Sequence, residues 1–145
     1  MKVICKENKA KNLDLNEVTI LDSKETEFPV EKEQEYIVMG IMMLKESNCI
    51  YYLVNRSDRP DWIPYPLFNI IYNEFPPNWF IKIFDKKESF GDLFYLSGFY
   101  ELCNNEDYHD ALIEREKWAL DIYFKRKSEV EEWYSDKYWL SWSKK

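Results

Sequence analysis

The chain has 145 residues, of which 46% are apolar, 18% aromatic and 32% charged, and its net charge is −7. That length suits a single domain, residues 1–145, and that composition supports a packed core rather than a disordered chain. Three glycines and one histidine argue against a glycine-rich phosphate loop or a histidine-built metal centre, and the acidic balance argues against a basic surface for nucleic acid or anionic membranes.

Residues 2–6 alternate around Val3 and Cys5 and predict a first strand. Residues 7–17 are polar, with Leu13 and Leu15 as their apolar anchors, and predict a loop. Residues 18–21 form a short β-branched run, and Phe28-Pro29-Val30 excludes a helix because proline has no amide hydrogen. Residues 35–44 are apolar on both faces, which predicts a buried central strand, and Gly40 inside it predicts a bulge or sharp coil. Residues 45–48 have the length and polarity of a hairpin turn, and residues 49–55 predict the returning strand. Residues 56–61 predict a polar loop. Pro60, Pro64 and Pro66 then limit residues 62–65 to a short edge piece. Further strands are predicted over 67–72 and 79–84, on either side of Pro76-Pro77. Short strands at this spacing imply a small barrel or a strongly bent antiparallel sheet over residues 1–84.

Residues 104–134 contain no proline or glycine and predict an amphipathic helix over 104–136, capped by Asn104. At about 100° per residue, Leu112, Ala119, Tyr123, Val130 and Tyr134 share one side. Asp107, Asp110, Glu114, Glu129, Glu132 and Asp136 share the opposite side, with Asp121. Ser128-Glu129-Val130-Glu131 matches a capping box and predicts an interruption near Lys127. Residues 137–145 form an aromatic tail expected to pack back on the domain. The whole reads as α+β, a bent sheet with a C-terminal helix packed on it.

Cys5, Cys49 and Cys103 are odd in number and widely spaced, which predicts buried free thiols and a reducing, cytoplasmic location. The apolar start is three residues long, too short for a signal-peptide core. The longest apolar runs, 36–44 and 49–54, fall far below the roughly 20 residues that span a bilayer. No membrane and no nucleic-acid partner is expected.

His109 lies beside Asp107 and Asp110, but residues one or two apart do not share a helix face, so a boundary histidine is predicted rather than an acid–base or metal site. No G-x-S-x-G elbow occurs, and with 27 acidic residues carboxylate pairs arise by chance. No cofactor, metal or catalytic residue is predicted, and the chain is not expected to be an enzyme. The 11 Tyr, 9 Phe and 6 Trp suit core packing. Stacking on nucleic acid would need a positive groove, and Lys86-Lys87 and Lys125-Arg126-Lys127 are short and flanked by acids. Trp62, beside Asp58 and Asp61, reads either as core packing or as an interface anchor. The acidic helix side reads either as a solvated face with spaced ion pairs or, with Asp58, Asp61 and Trp62, as a surface for a basic partner.

Two stretches carry a resemblance. Glu33-Gln34-Glu35-Tyr36-Ile37-Val38-Met39-Gly40-Ile41 leads into a hairpin, and Trp62-Ile63-Pro64-Tyr65-Pro66-Leu67-Phe68-Asn69-Ile70 follows it. Together they resemble a "G-K-E-Y-x-V" strand followed by a "W-x-P-x-x-L-F-x-I" segment in small bacterial proteins with a bent SH3-like β-barrel. Several of those look like immunity proteins of contact-dependent or other polymorphic toxin systems. The resemblance covers about residues 3–84, and it departs at Glu33, where glycine followed by lysine is usual. It implies an SH3-like barrel and a protein partner, a cognate toxin bound so that its active site is occluded. A nuclease toxin, basic because it must hold phosphates, would suit the acidic charge. The alternatives are an enzyme or small-molecule-binding domain with an aromatic-lined pocket, and a peptide-binding adaptor.

Overall fold

The computed structural model describes residues 1–13, 25–45, 49–84 and 93–143, with 138–143 by backbone alone. The β-branched run over 18–21 and most of the 45–48 turn lie outside the described residues. Within them are β1 (Lys2–Cys5), β2 (Glu35–Leu44), β3 (Ile50–Arg56), β4 (Arg59–Pro64), β5 (Phe68–Tyr72), β6 (Phe80–Ile83) and β7 (Leu93–Gly98). Three helices follow: α1 (Tyr100–Asn104), α2 (Tyr108–Ile113) and α3 (Lys117–Ser143).

The strands form one bent, unclosed antiparallel sheet with the C-terminal helix packed on it. Its path runs β4-β3-β2-β1-β5, with β7 added to β2 and β6 to β7. The same β2 residues, Gly40 to Met43, pair with β3 and with β7, so those two strands flank β2 on opposite edges. β1 pairs with Glu35 to Ile37 and stands on the edge away from β3. The sheet therefore forks along one edge of β2 into a β1-β5 branch and a β7-β6 branch.

β2 can supply both branches because it is apolar on both faces. Val38 enters a core with Val3, Cys5, Tyr52, Val54, Leu67 and Phe68. The next residue, Met39, enters a second core with Leu53, Leu96, Leu102, Tyr108 and Tyr123. Fully burying one such large apolar side chain contributes about 1.5–3 kcal/mol. The register against β3 shifts between Val38 and Gly40, the irregularity Gly40 predicted. Gly40 pairs with Gly98, and a Cβ on either would stand 2.7 Å from Leu102 Cδ2. The two glycines make the seat on which α1 rests.

Four expectations are corrected. Residues 56–61 are not a loop: Ser57 and Asp58 form a tight turn and β4 starts at Arg59. β4 pairs with β3 alone, so Pro60 and Pro64 sit on a sheet edge, where a missing amide costs no ladder bond. The sheet does not end at residue 84, because β7 adds the strand that carries the helices. The helix over 104–136 is broken at residues 114–116 and not near Lys127, which lies inside the continuous α3. Asn104 ends α1; Asn105 instead accepts the Asp107 amide at 3.1 Å on its side-chain oxygen. The start of the 137–145 tail continues α3 as far as Ser143.

Candidate functional site

The break before α3 has a defined geometry. The Glu116 amide donates to the Ala111 carbonyl at 2.9 Å and the Arg115 amide to Leu112 at 3.2 Å, a Schellman closure whose left-handed position normally holds glycine. Here Arg115 takes it, with φ 61°. The chain restarts at Glu116, whose carbonyl accepts from Ala119 and Leu120 at 3.1 Å.

This break divides the acidic candidates. Asp107, Asp110 and Glu114 belong to α2 and its ends, whereas Glu129, Glu132 and Asp136 lie on the middle and later turns of α3. All six are exposed, as the helical phase required. Lys117 and Glu132 are fifteen residues apart, or about 22 Å along the helix at 1.5 Å per residue. The acids form two patches, not one stripe. Their opposite side is as expected: Leu112, Ala119, Tyr123, Val130 and Tyr134 are all buried.

The structure brings the β4 candidates to the α2 patch. Asp61 Oδ1 lies 3.9 Å from Arg115 Nη2, and the Trp62 ring lies 6.0 Å from the His109 ring. Trp62 is half-buried against the helix-side core, and its indole nitrogen is buried without a hydrogen-bond partner among the described residues. Asp58 lies in the β3–β4 turn, 3.8 Å from Arg59. Glu129 is engaged by Arg126 at 2.9 Å. Among the described residues Asp107, Glu114, Glu132 and Asp136 carry no ion pair. Of the helix pairs that spacing suggests, Lys117–Asp121 forms, at 2.7 Å.

His109 is mostly buried, with Nδ1 3.7 Å from Asp110 Oδ1 and Nε2 buried without a partner among the described residues. Burial depresses its pKa against the opposing pull of Asp110, so it is a neutral imidazole near neutral pH. The three cysteines are free and buried. Burial raises all three thiols, Cys49 and Cys103 to about 11, which leaves them unreactive.

Two grooves flank α3. One, of about 380 Å³, runs between the 76–80 segment and α3, with Trp79, Phe80, Tyr100 and Trp133 among its walls. Its charged rim is self-satisfied. Arg126 holds Glu101 through a bidentate fork at 2.7 and 3.0 Å as well as Glu129, and that fork holds the Glu101 carboxyl below its ordinary range. The other groove, about 710 Å³, lies among residues 27–37, the β3–β4 turn and α3, with both signs of charge on its walls. Sequence reasoning did not identify either groove, because each is assembled from segments distant along the chain. Among the described residues no helix is long and apolar enough to cross a membrane. No protein-family model, curated protein or solved structure matches this chain.

Proposed function

We propose that this chain is a bacterial immunity protein that neutralises a cognate toxin domain by binding it without catalysis. The observation that supports this reading is the α2 patch: Asp107, Asp110 and Glu114 are exposed on an element whose His109 and Arg115 contact Trp62 and Asp61 of β4, and among the described residues neither Asp107 nor Glu114 is ion-paired. Exposed charges of this kind add little to folding stability. A predominantly acidic field, in which Arg115 is matched by Asp61, speeds encounter with a basic partner, and Trp62 supplies an apolar anchor at its margin. A basic toxin, such as a nuclease that must grip phosphates, has the complementary charge. The patch on α3, Glu129, Glu132 and Asp136, is a second contact or a solvated surface.

The test uses the protein encoded by the neighbouring gene, co-purified with this chain and then separated. Association rates are measured from low to high salt for wild type, for a triple reversal at Asp107, Asp110 and Glu114, and for one at Glu129, Glu132 and Asp136. The expected result is a rate that falls with salt and drops about tenfold or more in the α2 reversal. Failure to co-purify, or a rate indifferent to both salt and reversal, would sink the reading.

A small-molecule site has one observation in its favour, the aromatic groove of about 380 Å³, a volume typical of ligand pockets. It is the weaker reading because the groove's Arg126, Glu101 and Glu129 are spent on one another.

A further inference from the structure

Five aromatic rings line the groove of about 380 Å³ between the 76–80 segment and α3. Phe99 is buried, whereas Trp79 and Trp133 are half-buried and Tyr100 is 53% exposed. The rings brace one another: Phe75 lies 4.6 Å from Trp79, and Phe80 meets Tyr100 edge to face at 5.3 Å. One wall already holds a cation, because the Lys137 ammonium lies 5.0 Å from the centre of the Trp133 ring. The negative face of an aromatic ring attracts such a charge. The charged rim is closed on itself, with Arg126 held by Glu101 and Glu129, so the groove presents mainly ring faces.

We infer that this groove takes an arginine side chain of the basic protein partner, as the contact that belongs to the α3 acidic patch. The inference rests on the reading of a basic partner and names the side chain that this second surface holds. Charge supports it. Glu129 lines the groove, and Glu132 and Asp136 follow within two turns of α3, exposed and without an ion pair among the described residues. With Glu101 they outnumber the cations of this stretch, Arg126 and Lys125, since Lys137 is paired with Glu74. The groove therefore combines ring faces with an excess of negative charge, and a cation uses both. A neutral polar ligand would have to displace the Arg126 fork to reach the charged groups of the rim. An apolar side chain would gain the rings and make no use of the charge. Arginine suits the site better than lysine, because the planar guanidinium stacks on rings and gives up its hydration more readily.

The experiment needs no toxin. The isotope-labelled chain is titrated with the peptide acetyl-Gly-Arg-Gly-amide, followed by the NMR signals of the tryptophan indole N–H groups. Two further peptides replace arginine by citrulline, which keeps its shape without its charge, or by leucine. The expected result is millimolar binding of the arginine peptide that moves the Trp79 and Trp133 signals and leaves that of Trp62 in place. Citrulline and leucine should each bind about fivefold more weakly or worse, and Tyr100→Leu, at an exposed position, should weaken the arginine peptide about threefold with the spectrum otherwise preserved. Citrulline or leucine binding as tightly as arginine overturns the inference. So do shifts confined to Trp62, an absence of binding, or a folded Tyr100→Leu variant that binds as wild type does. A chain that holds the arginine peptide but captures no product of the neighbouring gene keeps the groove and loses the toxin reading. A chain that captures its toxin through the α2 patch and ignores the peptide loses the groove alone.

Discussion

Glu33, Ser57, Asn78 and Arg115 all hold positive φ, at 67°, 56°, 69° and 61°, in a chain with only three glycines. For an L-residue other than Gly, Asn or Asp, the left-handed region costs about 1–2 kcal/mol. Glycine removes that cost and returns about 0.4–1 kcal/mol of unfolded-state entropy. Glu33→Gly and Arg115→Gly are therefore each expected to stabilise the fold by about 0.5–1 kcal/mol, read as a higher denaturation midpoint at constant slope. Glu33 is a left-handed turn position feeding β2. A second prediction concerns His109. Its folded pKa is depressed by burial, so below about pH 6.5 the unfolded chain takes up a proton that the folded chain resists. This contribution to stability is intact above that pH and lost as acid titrates the folded imidazole. His109→Gln should flatten the fall in melting temperature between neutral and mildly acid pH. Parallel curves for the two proteins would remove His109 from the account.

At the scale of elements, β1, β2, β3, β5 and β6 were legible, whereas β7, the start of β4 and the helix break were not. β2 is bounded by Glu35 and Leu44, as its two-sided apolar run predicts. The break at residues 114–116 left no trace in composition because arginine is a good helix former. What closes α2 is the Schellman geometry at Arg115, with Leu112 anchored in the helix-side core. α1 depends on close approach. A Cβ on Gly98 would meet the Met39 carbonyl at 2.8 Å as well as Leu102, and a backbone oxygen cannot swing aside as a side chain can. Gly98→Ala is expected to destabilise by about 1–3 kcal/mol, the range for overpacking a filled site, measured by chemical denaturation. A loss near zero would mean that the β2–β7 contact yields more readily than its geometry indicates.

At the scale of the molecule, α3 ties the fork together. The Tyr134 hydroxyl donates to the Glu74 carbonyl at 2.9 Å, its ring lies under the Lys2 ammonium at 5.3 Å, and Lys137 pairs with Glu74. One turn of helix thereby touches β1 and the segment that joins β5 to β6. The two cores meet at β2, so loss of that strand would undo both. The surface divides as well, with carboxylates on the helical side and exposed apolar side chains on β5 and β6. The acidic face follows from composition, since 27 acidic residues must largely stay in water. The apolar edge could not be read in the same way. Isoleucines at 70, 71, 81 and 83 look like core residues until the pairing leaves their strands outermost.

The sequence by itself determined the α+β class, the two-faced central strand, the glycine irregularity, the burial of Tyr123 and Tyr134 on one helix side and the exposure of the acids on the other. Each of these is a local pattern with a fixed period, and burial of apolar surface acts on every residue of such a pattern alike. Only the tertiary structure decided that β7 completes the sheet, that the acids fall into two patches, that Asp61 and Trp62 meet Arg115 and His109 of the α2 region, and which of the described strands stand at the edge. Those outcomes depend on pairing between residues far apart in the chain. The energies that choose among pairings lie in contacts such as Gly98 with Gly40 and Tyr134 with Glu74, which no window of neighbouring residues contains.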